Sequence, residues 1–322
     1  MIWLWLAVML VGFVVLIWSA DKLVAGAAAV ANSLQVPKLV IGLTVVSIGT
    51  SAPEILVAVL ASLDGAPTIA IGNAIGSNIA NIGLVLGLTA LLVPLPFEKS
   101  VLREEMPWLL LATLLTGICL FNFHLGLIDG IFLLILLGVG MYRLVVRTKN
   151  DPALGEAIAE EVSDLTHMSL KKAWFWLLLG LLFLLLSAQV VVVSAIEIAT
   201  IMGVAPMVIS LTVIAIGTSL PELAATITAA VKKHPEIAIG NVVGSNILNL
   251  LAVLPVPALM LPSTIHFVHY YRDVGVMVVF TILLALFAYG FRSQKIITRM
   301  EGLIFFLGYL GYLTLLVKQS LW

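Results

Sequence analysis

Charge is scarce in this chain. Of its 322 residues only 10% are Asp, Glu, Lys or Arg, against roughly 25% in an ordinary soluble domain. That leaves too little polar surface to clothe a water-soluble fold, so a soluble protein is excluded. Cysteine is almost absent as well: the single Cys119 sits in an apolar run, which rules out an internal disulfide framework or a thiolate cluster. Histidine numbers five, none of them deep in an apolar segment, so a zinc-type or His-assisted nucleophilic centre inside the membrane is not expected. No glycine-rich phosphate loop occurs, and nucleotide-driven pumping therefore has no support. The start, Met1-Ile2-Trp3-Leu4-Trp5, has no basic region of the kind that precedes a cleavable signal.

Apolar residues fill the space thus left. They make up 62% of the chain, with a mean hydropathy of +1.19, so lipid is the natural solvent for most of it. At about 20 residues per membrane helix the length holds around ten spans. Apolar runs place them near 2–21, 39–63, 69–93, 106–122, 127–146, 173–195, 206–230, 236–261, 273–291 and 301–317. One long polar stretch, residues 147–172, reads as a cytoplasmic linker between a first five-span unit, 1–146, and a second, 173–322. Lys and Arg accumulate on the cytoplasmic side of a membrane. With both termini outside, 14 of the 16 basic residues fall on inner connections, and only Arg272 and Lys318 lie outside. Trp3, Trp5, Trp174 and Trp176 at span ends suit an interfacial belt.

The two units are copies of each other. Leu43–Asn81 aligns without gaps to Leu211–Asn249 at an offset of 168 residues, with 21 of 39 positions identical. The same offset pairs Gly12 with Gly180 and Ser19-Ala20 with Ser187-Ala188. Five spans per copy is an odd number, so the second copy enters the membrane from the opposite side. The expected fold is an all-α polytopic membrane protein of ten transmembrane helices, arranged as two inverted-topology repeats. Such repeats are typical of secondary transporters, with the binding site near the bilayer midplane where the halves meet.

Identity concentrates on polar positions inside apolar runs. Each copy carries Gly-Thr-Ser-x-Pro-Glu, at Gly49–Glu54 and Gly217–Glu222. A charged residue at a helix centre costs about 2.5–3.5 kcal/mol on insertion scales. No Lys or Arg lies at comparable depth to offset Glu54 and Glu222, so a mobile cation fits better than an internal ion pair. Proline lacks the N–H that closes a helical turn, so the motif predicts a broken helix. Carbonyls around Ser47–Gly49 and Ala215–Gly217 would then join the hydroxyls of Thr50, Ser51, Thr218 and Ser219 as neutral ligands. The next span reads Gly72-Asn73-x-x-Gly76-Ser77-Asn78-x-x-Asn81 in one copy and Gly240-Asn241-x-x-Gly244-Ser245-Asn246-x-x-Asn249 in the other. Helical spacing brings Ser77 and Asn81 to one face, and Ser245 and Asn249 likewise, as cation-lining groups. The glycines read as small-xxx-small packing positions. Asn73, Asn78, Asn241 and Asn246 are balanced between helix–helix bonding and lining. Two carboxylates among amides, hydroxyls and carbonyls make a hard-oxygen site, and its flexible geometry suits Ca2+ better than Mg2+.

The paired motifs resemble the alpha repeats of the calcium:cation antiporter superfamily, and the chain is most similar to its prokaryotic sodium/calcium exchangers. That resemblance spans essentially the whole sequence. It implies exchange of cytosolic Ca2+ for external Na+ by alternating access, with Glu54 and Glu222 as the central Ca2+ ligands. It implies further ligands at Thr50, Ser51, Thr218, Ser219, Ser77, Asn81, Ser245 and Asn249. Many members carry aspartate at one or both of the positions held here by Asn81 and Asn249, so this chain has only two intramembrane carboxylates. The 26-residue linker is too short for the calcium-sensing domains of animal exchangers.

The expected function is thus a Na+/Ca2+ antiporter of the bacterial inner membrane, electrogenic at three Na+ per Ca2+. It is not an enzyme, carries no cofactor, and takes Ca2+ and Na+ as substrates. Neither nucleic acid, nucleotide nor protein partner is expected. A Ca2+/H+ antiporter of the same fold is the alternative, in which the two glutamates carry protons. A passive cation channel is the alternative from a different class, although a channel needs no inverted repeat with broken helices. Asp21, whose repeat mate is Gln189, reads as an inner-end residue and not an ion site. His266 and His269 read as exposed loop residues.

Overall fold

The computed structural model describes residues 2–34, 36–150, 168–203, 215–264, 267, 270–290 and 295–320. His266 and His269 lie outside them. The described residues are helical almost throughout. In order, the principal helices are α1 (Ile2–Leu34), α2 (Lys38–Thr50), α3 (Ala52–Leu63), α4 (Pro67–Leu92), α5 (Glu105–Cys119), α6 (Leu127–Asn150), α7 (Leu170–Ile201), α8 (Ala215–Thr218), α9 (Leu220–Val231), α10 (Pro235–Met260), α11 (Tyr270–Tyr289) and α12 (Arg299–Ser320). Among the described residues, seven helices are long and apolar enough to cross a membrane: α1, α4, α6, α7, α10, α11 and α12. Helices α2 and α3, bent by 41° at Ser51, make an eighth. Each of the ten expected spans has a helix at its position, but α5 and α9 are short. The segment expected to open the seventh span, 206–214, falls outside the described residues.

Two boundaries differ from the sequence reading. The first helix does not stop at residue 21 but runs to Leu34, about 50 Å at 1.5 Å per residue. Its second half is rich in Ala and Gly and is buried, including Leu23, Val24, Ala27, Val30 and Ala31. Packing therefore carries the helix past the Asp21-Lys22 pair that marked its end in the sequence. Asp21 is ion-paired with Lys232, at the end of α9, and lies 3.6 Å from Lys22. The interhelical pair is about a third exposed, so it contributes at most about 1 kcal/mol. Asp21→Asn is accordingly expected to shift the thermal midpoint only slightly, as differential scanning fluorimetry would show. The polar linker is also narrower than 147–172, because α6 continues to Asn150 and α7 begins at Leu170.

Glycine sets the close contacts. Helices α1 and α7 run antiparallel, with residue numbers rising along one as they fall along the other: Gly12 meets Val191, Leu23 meets Gly180 and Gly26 meets Leu177. A Cβ on Gly180 would lie 2.4 Å from the Leu23 amide nitrogen, and one on Gly26 2.5 Å from that of Leu177. The backbones touch there. The contact Gly12·Val191 becomes Leu23·Gly180 under the 168-residue offset, so the two helices meet as symmetry mates. The short strands behave alike. Leu95–Pro96 pairs antiparallel with Ile296–Ile297, and His124–Leu125 with Ser263–Thr264. Each copy thus lends a loop to the other, and the halves interlock.

The core is built on α4 and α10, the most enclosed of the long helices. Helix α10 lies against α2 with almost no side chain between: a Cβ on Gly240 would stand 2.8 Å from the Leu39 carbonyl oxygen, and one on Gly244 2.6 Å from the Ser47 hydroxyl. For Gly72 and Gly76, no described residue comes within 4 Å of such a Cβ. Over their most apolar 18 residues, α1, α6 and α12 are the least buried of the long helices and turn side chains such as Leu10, Ile128, Ile135 and Leu307 outward, as lipid-facing helices do.

Candidate cation site

Both motif glutamates sit in the first turn of a helix that restarts after a one-residue break. Ser51 (φ −82°, ψ 5°) separates α2 from α3, and Ser219 (φ −88°, ψ 3°) separates α8 from α9. The shared Gly-Thr-Ser-x-Pro-Glu motif produces the same backbone break twice. Pro53 and Pro221 occupy an opening position of each new helix, where a missing N–H costs nothing. The break is tighter than the sequence implied: the Ser47 carbonyl still accepts the Ser51 N–H at 2.9 Å, which leaves its second lone pair for a cation. Helix α8 opens at Ala215 and ends at Thr218, the mates of Ser47 and Thr50.

Ser-x-x-Glu is also the spacing of a helix-capping box, in which serine and glutamate satisfy the first backbone amides. Neither copy uses it so: no side-chain cap bond forms at Ser51 or Ser219. The Ser51 hydroxyl instead donates across the halves to Glu222 Oε1 at 3.3 Å, with Thr50 also beside that carboxylate. Ser77 on α4 faces Glu54. The two carboxylates are near enough to repel one another, and both residues are buried.

Burial leaves these oxygens stranded. Among the described residues, both carboxylate oxygens of Glu54 and Oε2 of Glu222 have no hydrogen-bond partner. The same holds for both amide atoms of Asn81 and Asn249, and for the hydroxyls of Ser219 and Ser245. No ion pair to either glutamate occurs among the described residues. Buried polar groups are almost always paired, and each orphan costs about 1–3 kcal/mol, more when charged. These groups come from both copies, each bears oxygen, and Glu54 and Glu222 are acidic, a donor set that a hard cation would complete. Among the described residues no three His, Cys, Asp or Glu gather as a resident metal site would require.

Of the twelve residues singled out from the sequence, Glu54, Glu222, Ser51, Ser77, Asn81, Ser219, Ser245 and Asn249 are buried polar residues of the helices that frame this centre. Thr50 is also buried, but it directs its hydroxyl to Asn241 Oδ1 at 3.0 Å. The Ser47 hydroxyl bonds back to the Leu43 carbonyl at 2.6 Å, so only its carbonyl is available to a ligand. Thr218 and Ala215 stand at the end and start of α8. The four undecided asparagines diverge. Asn241 joins helices, Asn78 donates to the Ala74 carbonyl at 2.8 Å, Asn246 has neither amide atom bonded, and Asn73 leaves its Nδ2 unbonded.

Two features were missed. Thr226, buried and bonded to Asn241, shows in the sequence only as a mismatch with its mate, Ala58. The other is a pair of π-helical segments, Asn81–Leu86 and Asn249–Val253. They begin at the two mated asparagines, and the Leu254 N–H reaches back five residues to the Asn249 carbonyl at 3.0 Å. Single-turn π segments recur at functional sites, because they widen the helix and re-aim the side chain where they start.

Comparison with known proteins agrees with this geometry. The family described as "Sodium/calcium exchanger protein" matches residues 4–146 and 172–318. The chain belongs to that family. It is 40% identical over 311 residues to the putative antiporter CaxA of Alkalimonas amylolytica, covering 96% of this chain and 98% of the relative. It is 38% identical over 320 residues to the inner membrane protein YrbG of Escherichia coli, covering 98% and 97%. The sodium/calcium exchanger MaX1 of Methanosarcina acetivorans is 31% identical over 343 residues, covering 96% and 97%. Among solved structures, the sodium-calcium exchanger NCX_Mj soaked with Na+ and Ca2+ superimposes with a TM-score of 0.82 at 34% identity, over 98% of this chain and 99% of the other. The chain is therefore an integral membrane protein of a cation-antiporter family, not of a catalytic enzyme family.

Proposed function

We propose that this protein is a Na+/Ca2+ antiporter that moves Ca2+ out of the cytosol by alternating access, with Glu54 and Glu222 as the shared central ligands. The observation that carries this reading is the pair of buried carboxylates that have no cationic partner among the described residues and are linked across the halves by the Ser51–Glu222 bond, together with unbonded buried amide and hydroxyl groups from both copies. Two carboxylates neutralise one Ca2+. The surrounding oxygens of Thr50, Ser51, Ser77, Asn81, Thr218, Ser219, Ser245 and Asn249, with the carbonyls of Ser47 and Ala215, supply the six to eight donors that ion takes. Na+ would meet the same oxygens, so the two ions compete for one charge-balanced centre.

The same reading takes the chain as ten spans in two inverted repeats, with both termini outside. The α1–α7 contacts and the exchanged strands fit a two-fold axis in the membrane plane, and symmetry mates on opposite sides offer equivalent routes to one site. The distribution of Lys and Arg supports the orientation, and the inner membrane as the location.

Energetics favour three Na+. Export against a gradient of about 10,000-fold and about 100 mV costs roughly 10 kcal/mol. One Na+ moving inward down a tenfold gradient returns about 3.7 kcal/mol. Two are insufficient and three suffice, so exchange is expected to carry net current. The test is radiolabelled Ca2+ uptake into proteoliposomes. Uptake that requires internal Na+, with one net positive charge leaving the vesicle for each Ca2+ that enters, supports the proposal. Uptake driven equally by a proton gradient without Na+ transfers it to Ca2+/H+ exchange, and uptake without any counter-ion makes it a channel.

A further inference from the structure

The site's two halves are not equally braced, and the difference lies in one asparagine. Asn241 of α10 is fully buried and bonds in three directions. Its Oδ1 accepts the Thr50 hydroxyl at 3.0 Å; its Nδ2 donates to Thr226 Oγ1 at 2.9 Å and to the Glu222 backbone carbonyl at 3.4 Å. A carbonyl only accepts, so the Glu222 oxygen fixes which end of the amide faces α9. The Oδ1 must then face α2. We infer that Asn241, held by Thr226, is a positioning residue for cation binding: it takes the Thr50 hydroxyl proton, so that the Thr50 oxygen turns only lone pairs toward the ion.

A free hydroxyl can point either its hydrogen or its lone pairs at a cation, and one arrangement repels. Thr50 has a competing acceptor, the Ser47 carbonyl at 3.4 Å, itself among the proposed ligands. The shorter bond to Asn241 draws the hydrogen away from that carbonyl and from the ion. Partners behind the ligands orient them in this way in metal sites generally, and losing one typically costs 10–100-fold in affinity.

The first copy lacks the same brace. The mate of Asn241 is Asn73, and the mate of Thr226 is Ala58, which is buried and has no hydroxyl to accept a bond. Asn73 Nδ2 is correspondingly buried and unpartnered. The amide that serves the first-copy hydroxyl is locked, whereas its counterpart is held by fewer bonds. The brace behind Thr50 thus has no equivalent at Asn73 among the described residues.

This inference rests on the reading of Thr50 as a cation ligand, and the experiment separates the two. The full chain in proteoliposomes would carry Thr226→Val, Thr226→Ser, Thr50→Val or Thr226→Val with Thr50→Val, and the Ca2+ concentration giving half-maximal exchange would be measured. Thr226→Val is expected to raise that concentration about 10-fold, and Thr226→Ser, which keeps the hydroxyl, to restore it. In the Thr50→Val background the Thr226→Val change is expected to add nothing, because its effect passes through Thr50. Should Thr226→Val destabilise the fold, Thr226→Ala, the residue the first copy already tolerates, takes its place. A shift with Thr50→Val but none with either Thr226 variant overturns the positioning role alone. Independent, multiplying effects overturn it too, as packing would explain them. No shift with Thr50→Val removes the ligand reading and the inference together.

Discussion

Glu54→Gln and Glu222→Gln are each expected to lower Ca2+ exchange by roughly 100-fold or more, while making the ion-free protein more heat-stable. The two effects have one cause. In the ion-free state two buried carboxylates face each other without a cationic side chain beside them, and replacing one by a neutral amide removes both its desolvation cost and the repulsion. With Ca2+ bound the balance reverses. Removing one member of a buried, compensated charge set costs about 3–5 kcal/mol, or about 100- to several-thousand-fold in affinity. Wild-type protein at 100 times its dissociation constant gains about 2.7 kcal/mol from the ligand. The measurement is the thermal midpoint of purified protein with and without Ca2+, alongside transport. Both variants should start higher and lose nearly all of the Ca2+-dependent rise. A variant that keeps the full rise would falsify the assignment of its glutamate.

Gly180→Ala and Gly26→Ala are expected to be the most damaging single-methyl changes in the α1–α7 pair. Each added Cβ would fall 2.4–2.5 Å from backbone atoms of the opposite helix, and backbone, unlike a side-chain end, cannot swing aside. The helices must separate by about 1 Å or more along a contact that runs from Gly12 to Gly26. Overpacking of this kind costs about 1–3 kcal/mol and sometimes more. Gly138→Ala on α6 is the control: it is exposed, and no described residue lies within 4 Å of its added Cβ. Thermal unfolding in detergent should show midpoints several degrees lower for Gly180→Ala and Gly26→Ala, and unchanged or higher for Gly138→Ala, where alanine is the better helix former. Equal midpoints for all three would mean that α1 and α7 do not meet as closely as described.

Much of this protein was determined by its sequence alone. Scarce charge and long apolar runs specified a membrane protein, since too little polar surface remains for water. The 168-residue repeat, concentrated on Gly-Thr-Ser-x-Pro-Glu and its following span, marked the family and the two glutamates, because a charge in lipid persists only for a purpose. The bends at Ser51 and Ser219 were legible for the same local reason: proline removes a donor wherever it stands. Tertiary structure decided the rest. The end of α1 depends on what covers Ala27 and Ala31, and no residue within that helix announces it. Whether Ser-x-x-Glu caps its own helix or reaches across depends on the other half being within 3.3 Å. Nor does spacing along α10 show that Asn241 would bond Thr50 and Thr226, 191 and 15 residues away, while Asn73 would find no second threonine. Two repeated sequences become unequal partners because hydrogen bonding is set by distance in space, and only the folded chain brings those groups together.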